Sequence, residues 1–257
     1  MLIVVSPAKS LDYESPLATT TATRPKMLER SMELIEVMRT KSPADVARLM
    51  SISPSLAQLN VDRYRDFEVP FTKRNSRQAL LAFNGDVYEG MQARSTFTED
   101  DFSHAQKTFR ILSGLYGLLR PLDLMMPYRL EMGTRLATTK GRDLYDFWGD
   151  EITDALRSAI AKSPGERVLV NLASKEYFGA VRPAKLKAPV VSPVFLDGKG
   201  RDEPKIISFF AKKARGIMSG WLIRERITSA DDIVDFAEAG YAFDPVRSAA
   251  ERPVFVR

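Results

Sequence analysis

A mixed α/β (α+β) fold, built as one compact domain over residues 1–257, is predicted by three features of the sequence. Apolar runs of strand length recur along the chain, separated by segments with apolar residues at helical spacing. There is no internal repeat, low-complexity stretch or long Gly/Ser linker. At 257 residues, 44% hydrophobic and 28% charged, the chain has an ordinary globular composition and enough length to bury a sizeable core. Strands and helices interleave without the regular rhythm of a doubly wound sheet. Two intimate lobes are the alternative organisation.

Taken in order, Leu-Ile-Val-Val at 2–5 reads as a first buried strand. Residues 24–67 read as almost wholly helical, with Leu28, Met32, Ile35 and Met38 on one stripe. Ser42-Pro-Ala-Asp45 then presents an N-cap serine, a proline at the first helical position and an acid at the third. The pattern restarts with Ser53 as a second cap and Pro54 as a second first-turn proline, so only Ser51 and Ile52 separate the two short helices. Further strands are predicted at 79–83, 110–115, 168–172, 190–195, 205–210 and 254–256, and a helix at 143–162. Thr98 with Asp101, and Ser229 with Asp232, read as capping boxes opening helices near 99 and 230.

Composition narrows the function classes. No cysteine is present, which excludes disulfides, thiolate metal sites and a cysteine nucleophile. No apolar run approaches the ~18 residues of a membrane span, and no membrane partner is expected. The opening apolar stretch is too short for a signal peptide, and Lys9 follows it rather than preceding it, so the cytoplasm is the expected compartment. The formal charge is +5, with a pI near 9.3, within the range of nucleic-acid binders and of many metabolic enzymes alike. Basic clusters fall at Lys73, Arg74 and Arg77, at Lys185 and Lys187, and at Lys212, Lys213 and Arg215.

The stretch FRILSGLYGLLRPLDLMMPYRLEMG, residues 109–133, sets Arg120, Asp123, Arg129 and Glu131 among apolar residues. Unpaired charges are costly in a core, and a surface loop would be less apolar, so the segment reads as the wall of a cleft. With SPAKSLDY (6–13), AFNGDVYEG (82–90), LYDFW (144–148), NLASKEYF (171–178) and SFFAKKARG (208–216), it resembles the YaaA family of peroxide-stress-response proteins, block by block and in order. The resemblance implies a DNA-binding protein of hydrogen peroxide defence that keeps free intracellular iron low. It also implies a one-piece α/β fold of the melon-shaped "cantaloupe" type with a helix-hairpin-helix element.

Residues 43–60 have the layout of such an element, with Ile52 plugging the helix interface and the hairpin facing a phosphate. Serines stand where the usual hairpin has glycines. A plain αα-hairpin is the structural alternative. The DNA-binding set on this reading is Arg48, Ser51, Ile52, Ser53 and Ser55, with Lys212, Lys213 and Arg215 at the start of a helix that follows a strand. Cations there oppose the helix dipole, which either a bound anion or internal acids such as Asp86 and Glu131 would resolve. The cleft candidates are Lys9, Asp86, Ser113, Arg120, Arg129, Glu131, Asn171 and Glu176, polar residues at or near predicted strand ends. No spacing among them specifies a reaction, and Ser113-Gly-Leu-Tyr-Gly117 is neither a P-loop nor a dinucleotide fingerprint. No cofactor is expected. His104 is the sole histidine and with Asp101 offers at most two ligands, so no metal site is expected either.

Two functions follow as expectations. The first is a monomeric cytoplasmic protein that binds duplex or structured DNA mainly through its phosphate backbone and limits oxidative DNA damage and free-iron toxicity. The second is an enzyme acting on a small anionic or nucleotide-like ligand in a charged cleft.

Overall fold

The computed structural model describes residues 1–198 and 203–257. Its largest sheet is built on strand β1 (Leu2–Val5), whose four residues are all buried, as expected for a strand covered on both faces. β1 pairs in parallel with β2 (Phe109–Ser113), and β2 turns back antiparallel into β3 (Gly117–Leu119). On its other side β1 pairs in parallel with β4 (Leu169–Asn171), which pairs in parallel with β5 (Val190–Val191). The order is therefore β3-β2-β1-β4-β5. A second sheet sets β6 (Val194–Leu196) parallel and β7 (Ala242–Phe243) antiparallel to β8 (Val254–Val256). Two-stranded pairings join Ser10–Leu11 to Phe83–Asn84 and Arg77–Gln78 to Leu124–Met125. Helices and several sheets without a doubly wound order make the fold mixed α+β.

The helices that matter for the site are α1 (Leu28–Arg39), α2 (Pro43–Met50), α3 (Pro54–Arg65), α4 (Asp86–Met91), α5 (Glu99–Thr108), α6 (Leu144–Trp148), α7 (Glu151–Lys162) and α8 (Ser208–Arg224). Ser42 caps α2 in a full capping box with Asp45, and Ser53 Oγ accepts from the Leu56 amide at 3.3 Å to cap α3. Between them Ser51 takes a left-handed conformation at φ 51°, and the Ile52 amide donates to the Ala47 carbonyl at 3.1 Å. The Thr98–Asp101 capping box of α5 is present as read.

Several sequence expectations are corrected. Residues 79–83 are not a strand: Ala79–Ala82 form a helical turn and only Phe83–Asn84 are extended. All four alanine and leucine residues of that turn are buried, and a short buried apolar run has no periodicity to separate strand from helix. The 190–195 run divides at Ser192-Pro193 between two sheets, because proline cannot donate to a continuing ladder. No strand spans 205–210; Lys205 makes one bridge to Asp197, and α8 begins at Ser208. The 143–162 helix is two helices, interrupted at Gly149 with φ 48°. Near 230 there is a 3-10 turn over Asp231–Asp235, and Ser229 Oγ accepts from the Asp231 amide instead of forming a box with Asp232.

α4 lies against α8 with almost no separation between backbones. A Cβ on Gly216 would sit 1.8 Å from the Val87 carbonyl oxygen, and one on Gly90 would sit 2.2 Å from that of Lys213. Helix propensity alone favours alanine over glycine by about 1 kcal/mol. Here the clash with main chain outweighs that gain, and Gly216→Ala is expected to lose about 2 kcal/mol net, as overpacked interiors do. Urea denaturation measures it; a more stable variant would contradict the closeness of this crossing.

Candidate functional site

The carboxyl ends of the parallel strands β1, β2 and β4 release their chains on one side, where α/β sheets commonly hold ligands. Leaving β1, the Ser6 carbonyl accepts from Tyr88 Oη at 3.1 Å, and Ser6 Oγ accepts from the Ser174 amide at 2.8 Å. Ser174 in turn caps the short helix Lys175–Phe178 that follows β4. Glu176 Oε1 in that helix accepts from the Gly133 amide at 2.9 Å, which ties the end of the 109–133 segment to β4. Glu131 divides its carboxylate between two cations: Oε2 lies 3.1 Å from Lys9 Nζ, while Oε1 accepts from Arg129 Nε at 3.1 Å and Nη2 at 2.9 Å. Tyr64 Oη of α3 donates to the Arg129 carbonyl, anchoring the helical region to the same place.

Thus Lys9, Arg129 and Glu131 meet, and Glu176 holds the Gly133 amide two residues beyond Glu131. Asp86 opens α4 just after the pairing of Ser10–Leu11 with Phe83–Asn84, and its carboxylate lies 3.8 Å from Lys212 Nζ. The remaining candidates are committed elsewhere. Ser113 is fully buried, its Oγ 2.6 Å from Tyr128 Oη and accepting from the Tyr116 amide at 2.9 Å. Arg120 forks onto Asp123 through Nε and Nη2, at 3.0 and 2.7 Å from Oδ1. Asn171 donates to Ser192 Oγ at 3.3 Å and accepts from the Ala173 amide at 3.0 Å. These three hold local structure and do not line a shared cleft with Lys9.

Lys9 and Arg129 share Glu131, and Lys212 faces Asp86, so these three cations each have an acid beside them. The cavity bounded by Lys9, Arg129, Glu131, Tyr128 and Tyr177 holds only about 10 Å³, room for one water at most. Burial raises the phenol pKa of Tyr128 well above its ordinary value, and the Ser113 hydrogen bond offsets this only in part. Burial likewise raises Tyr177, reinforced by Tyr128, Glu176 and Glu131. Both phenols therefore stay protonated at neutral pH. Ser6, Tyr64, Tyr88, Tyr128 and Tyr177 were not singled out from sequence. A tyrosine inside an apolar block reads as core, and only its hydroxyl's partner distinguishes it.

The basic clusters are partly spent within the protein, although Lys73 and Arg74 stay exposed and make no ion pair with the described residues. Arg77 is buried and donates to the Ser15 carbonyl, and Lys185 pairs with Asp150 at 2.5 Å. Because α8 begins at Ser208, Lys212, Lys213 and Arg215 fall in its second turn, which weakens their conflict with the helix dipole. Lys213 and Arg215 make no ion pair with the described residues, and burial lowers the Arg215 guanidinium pKa. At the α2–α3 hairpin, Ser51, Ser53 and Ser55 are exposed, Ile52 is half-buried against the core, and Arg48 pairs with Asp45 at 2.5 Å.

Among the described residues no group of three or more His, Asp or Glu side chains is placed to hold a metal ion. Asp101 is engaged by its capping box and by Arg226 at 2.6 Å. No described helix is long and apolar enough to cross a membrane.

A mixed α+β protein with polar and charged residues gathered at the ends of a parallel sheet is the class that fold and site define. Within that class, the sequence profile described as peroxide stress protein YaaA matches residues 1–247. The chain belongs to that family.

The single histidine offers a clean internal probe. His104, half-buried on α5, has its pKa lowered by burial and by the charges of Arg226 and Lys107, with Asp101 opposing. The folded state therefore takes up this proton less readily than the unfolded chain. Its contribution to stability is complete above about pH 6.5 and declines as pH falls through the lower folded-state value. Proton NMR of the His104 ring is expected to give a midpoint below about 6.5, and His104→Gln is expected to flatten the stability profile just below that pH.

Proposed function

We propose that this peroxide stress protein binds duplex or structured DNA through the phosphate backbone, using the α2–α3 hairpin as a helix-hairpin-helix. On this reading it acts as a cytoplasmic monomer, one cantaloupe-type domain, that limits oxidative DNA damage and free-iron toxicity. The observation that carries the reading is the tip of the hairpin. Among the described residues the amides of Ser53 and Ser55 make no hydrogen bond within the protein, and the serines of the tip, Ser51, Ser53 and Ser55, are all exposed. Unbonded amides and the positive end of the α3 dipole together favour a phosphate. Ser51 supports the same reading, since it adopts the left-handed turn for which the usual hairpin employs glycine. Lys212, Lys213 and Arg215 are a second basic element for backbone contact.

The enzyme reading has less support. A ligand in the Lys9–Arg129 region would have to displace Glu131 from two cations and open a cavity of about 10 Å³. Contacts to phosphate rather than to bases make the binding sequence-tolerant and salt-sensitive.

Two measurements test the proposal. Fluorescence anisotropy with a duplex of arbitrary sequence is expected to show log affinity falling against log salt, with a slope of roughly −5 if six phosphates are neutralised. Ser53→Asp keeps the α3 cap and is expected to change stability by less than about 0.5 kcal/mol. Its carboxylate would repel a bound phosphate by an amount on the order of 2–4 kcal/mol before screening, at an effective dielectric of about 20. A several-fold loss of affinity at low salt is expected. Ser53→Ala is expected to lose about 1 kcal/mol of stability while retaining affinity. If Ser53→Asp binds as tightly as the parent, the hairpin is a packing element only.

A further inference from the structure

A second charged cavity lies on the other face of β2. Side chains alternate along a strand, so Arg110 and Ser113, three residues apart, project to opposite sides of the sheet. On the Arg110 side a cavity of about 150 Å³ opens between β2, β3, α7 and the segment leading into α1. Lys26, Arg110, Arg120 and Lys162 line it with a single acid, Asp123. Met27, Leu118, Ala155 and Ala159 supply apolar wall.

The charges here are not balanced. Asp123 is consumed: it takes the Arg120 fork, the Arg120 amide at 2.8 Å and the Thr23 hydroxyl at 2.6 Å. Lys26, Arg110 and Lys162 make no ion pair with the described residues. Arg110 is the informative member, because only 9% of it is exposed. Its Nη1 is fixed by two carbonyls, Gln106 at 3.0 Å and Phe109 at 2.6 Å. Nε and Nη2, the donors of one edge of the guanidinium, have no partner among the described residues, and neither is fully sealed from solvent, unlike the unpaired Nε of Arg77. Burial, with Arg120 adding and Asp123 opposing, pushes the Arg110 guanidinium down to about 10, so it is cationic at neutral pH. A cation so buried without a counter-ion is costly.

We propose that this cavity binds the terminal phosphate or diphosphate of a small organic molecule, with the free edge of Arg110 as its floor and Lys26, Arg120 and Lys162 around it. Three unpaired cations match a polyanion better than a single carboxylate, and a guanidinium edge suits the bidentate geometry of phosphate. The apolar wall takes the organic part. A terminal phosphoryl group can descend to a buried arginine, whereas a diester in a nucleic-acid strand carries chain on both sides and needs an open groove. The site is thus separate from the hairpin and does not depend on the DNA reading.

The test is calorimetric titration of the full chain with inorganic diphosphate. One saturable site is expected, with a rise in Tm that grows with diphosphate concentration. The double variant Lys26→Gln, Lys162→Gln changes only exposed side chains. It is expected to keep the ligand-free Tm and to weaken diphosphate binding at least tenfold. Arg110→Met is expected to abolish binding, and the double variant decides the matter if Arg110→Met fails to fold. Absence of saturable heat, or equal affinity in the double variant, overturns the proposal. Displacement of diphosphate by a short DNA duplex also overturns it, and would make the cavity part of a nucleic-acid surface.

Discussion

Parallel pairing of β1 with β2 on one side and β4 on the other brings segments far apart in the chain into register, and the polar contacts at the strand ends depend on it. Ile3 faces Phe109 across one ladder and Val170 across the other. The turns that follow must therefore leave the sheet together, which is why Ser6 meets Ser174 and Lys9 meets Glu131. With all four residues of β1 buried, a one-residue slip would put each side chain into a packing slot shaped for another on the opposite face.

Much of this was legible in the sequence, and the failures have physical causes. The Leu-Ile-Val-Val run, the serine-proline starts of α2 and α3, and the Thr98 box were readable because each is local: propensity, cap and pattern agree within a few residues. Residues 79–83 were misread because tertiary burial hides the period. Residues 205–210 were misread because Ile206 and Phe209 look like core yet are more than half exposed. For the site, Lys9, Arg129 and Glu131 stood out as charges in apolar blocks. Ser113 and Arg120 stood out equally and proved to serve Tyr128 and Asp123, since sequence shows a polar group without showing its partner. Arg110 escaped notice for the converse reason: inside a predicted buried strand, its one free edge is visible only in three dimensions.

The protein thus handles its charges in two ways. At the strand ends Lys9 and Arg129 share Glu131 and Lys212 faces Asp86, leaving a nearly closed junction. Among the described residues, the Ser53 and Ser55 amides at the hairpin tip make no hydrogen bond, and Lys213 and Arg215 on α8 and Lys26, Arg110 and Lys162 on the Arg110 face make no ion pair. Matched charges specify geometry, and unmatched ones leave positive potential at the surface.

The crossing of α4 and α8 is set by two hydrogen atoms standing where methyl groups would be. Asp86 begins one of these helices and Lys212 lies on the other, so the spacing of that ion pair is inherited from Gly90 and Gly216 rather than from either charged residue. Any side chain at those two positions would act as a wedge. It would pry apart an acid and a base that it never touches, coupling the stiffness of the interior to the charge pattern outside.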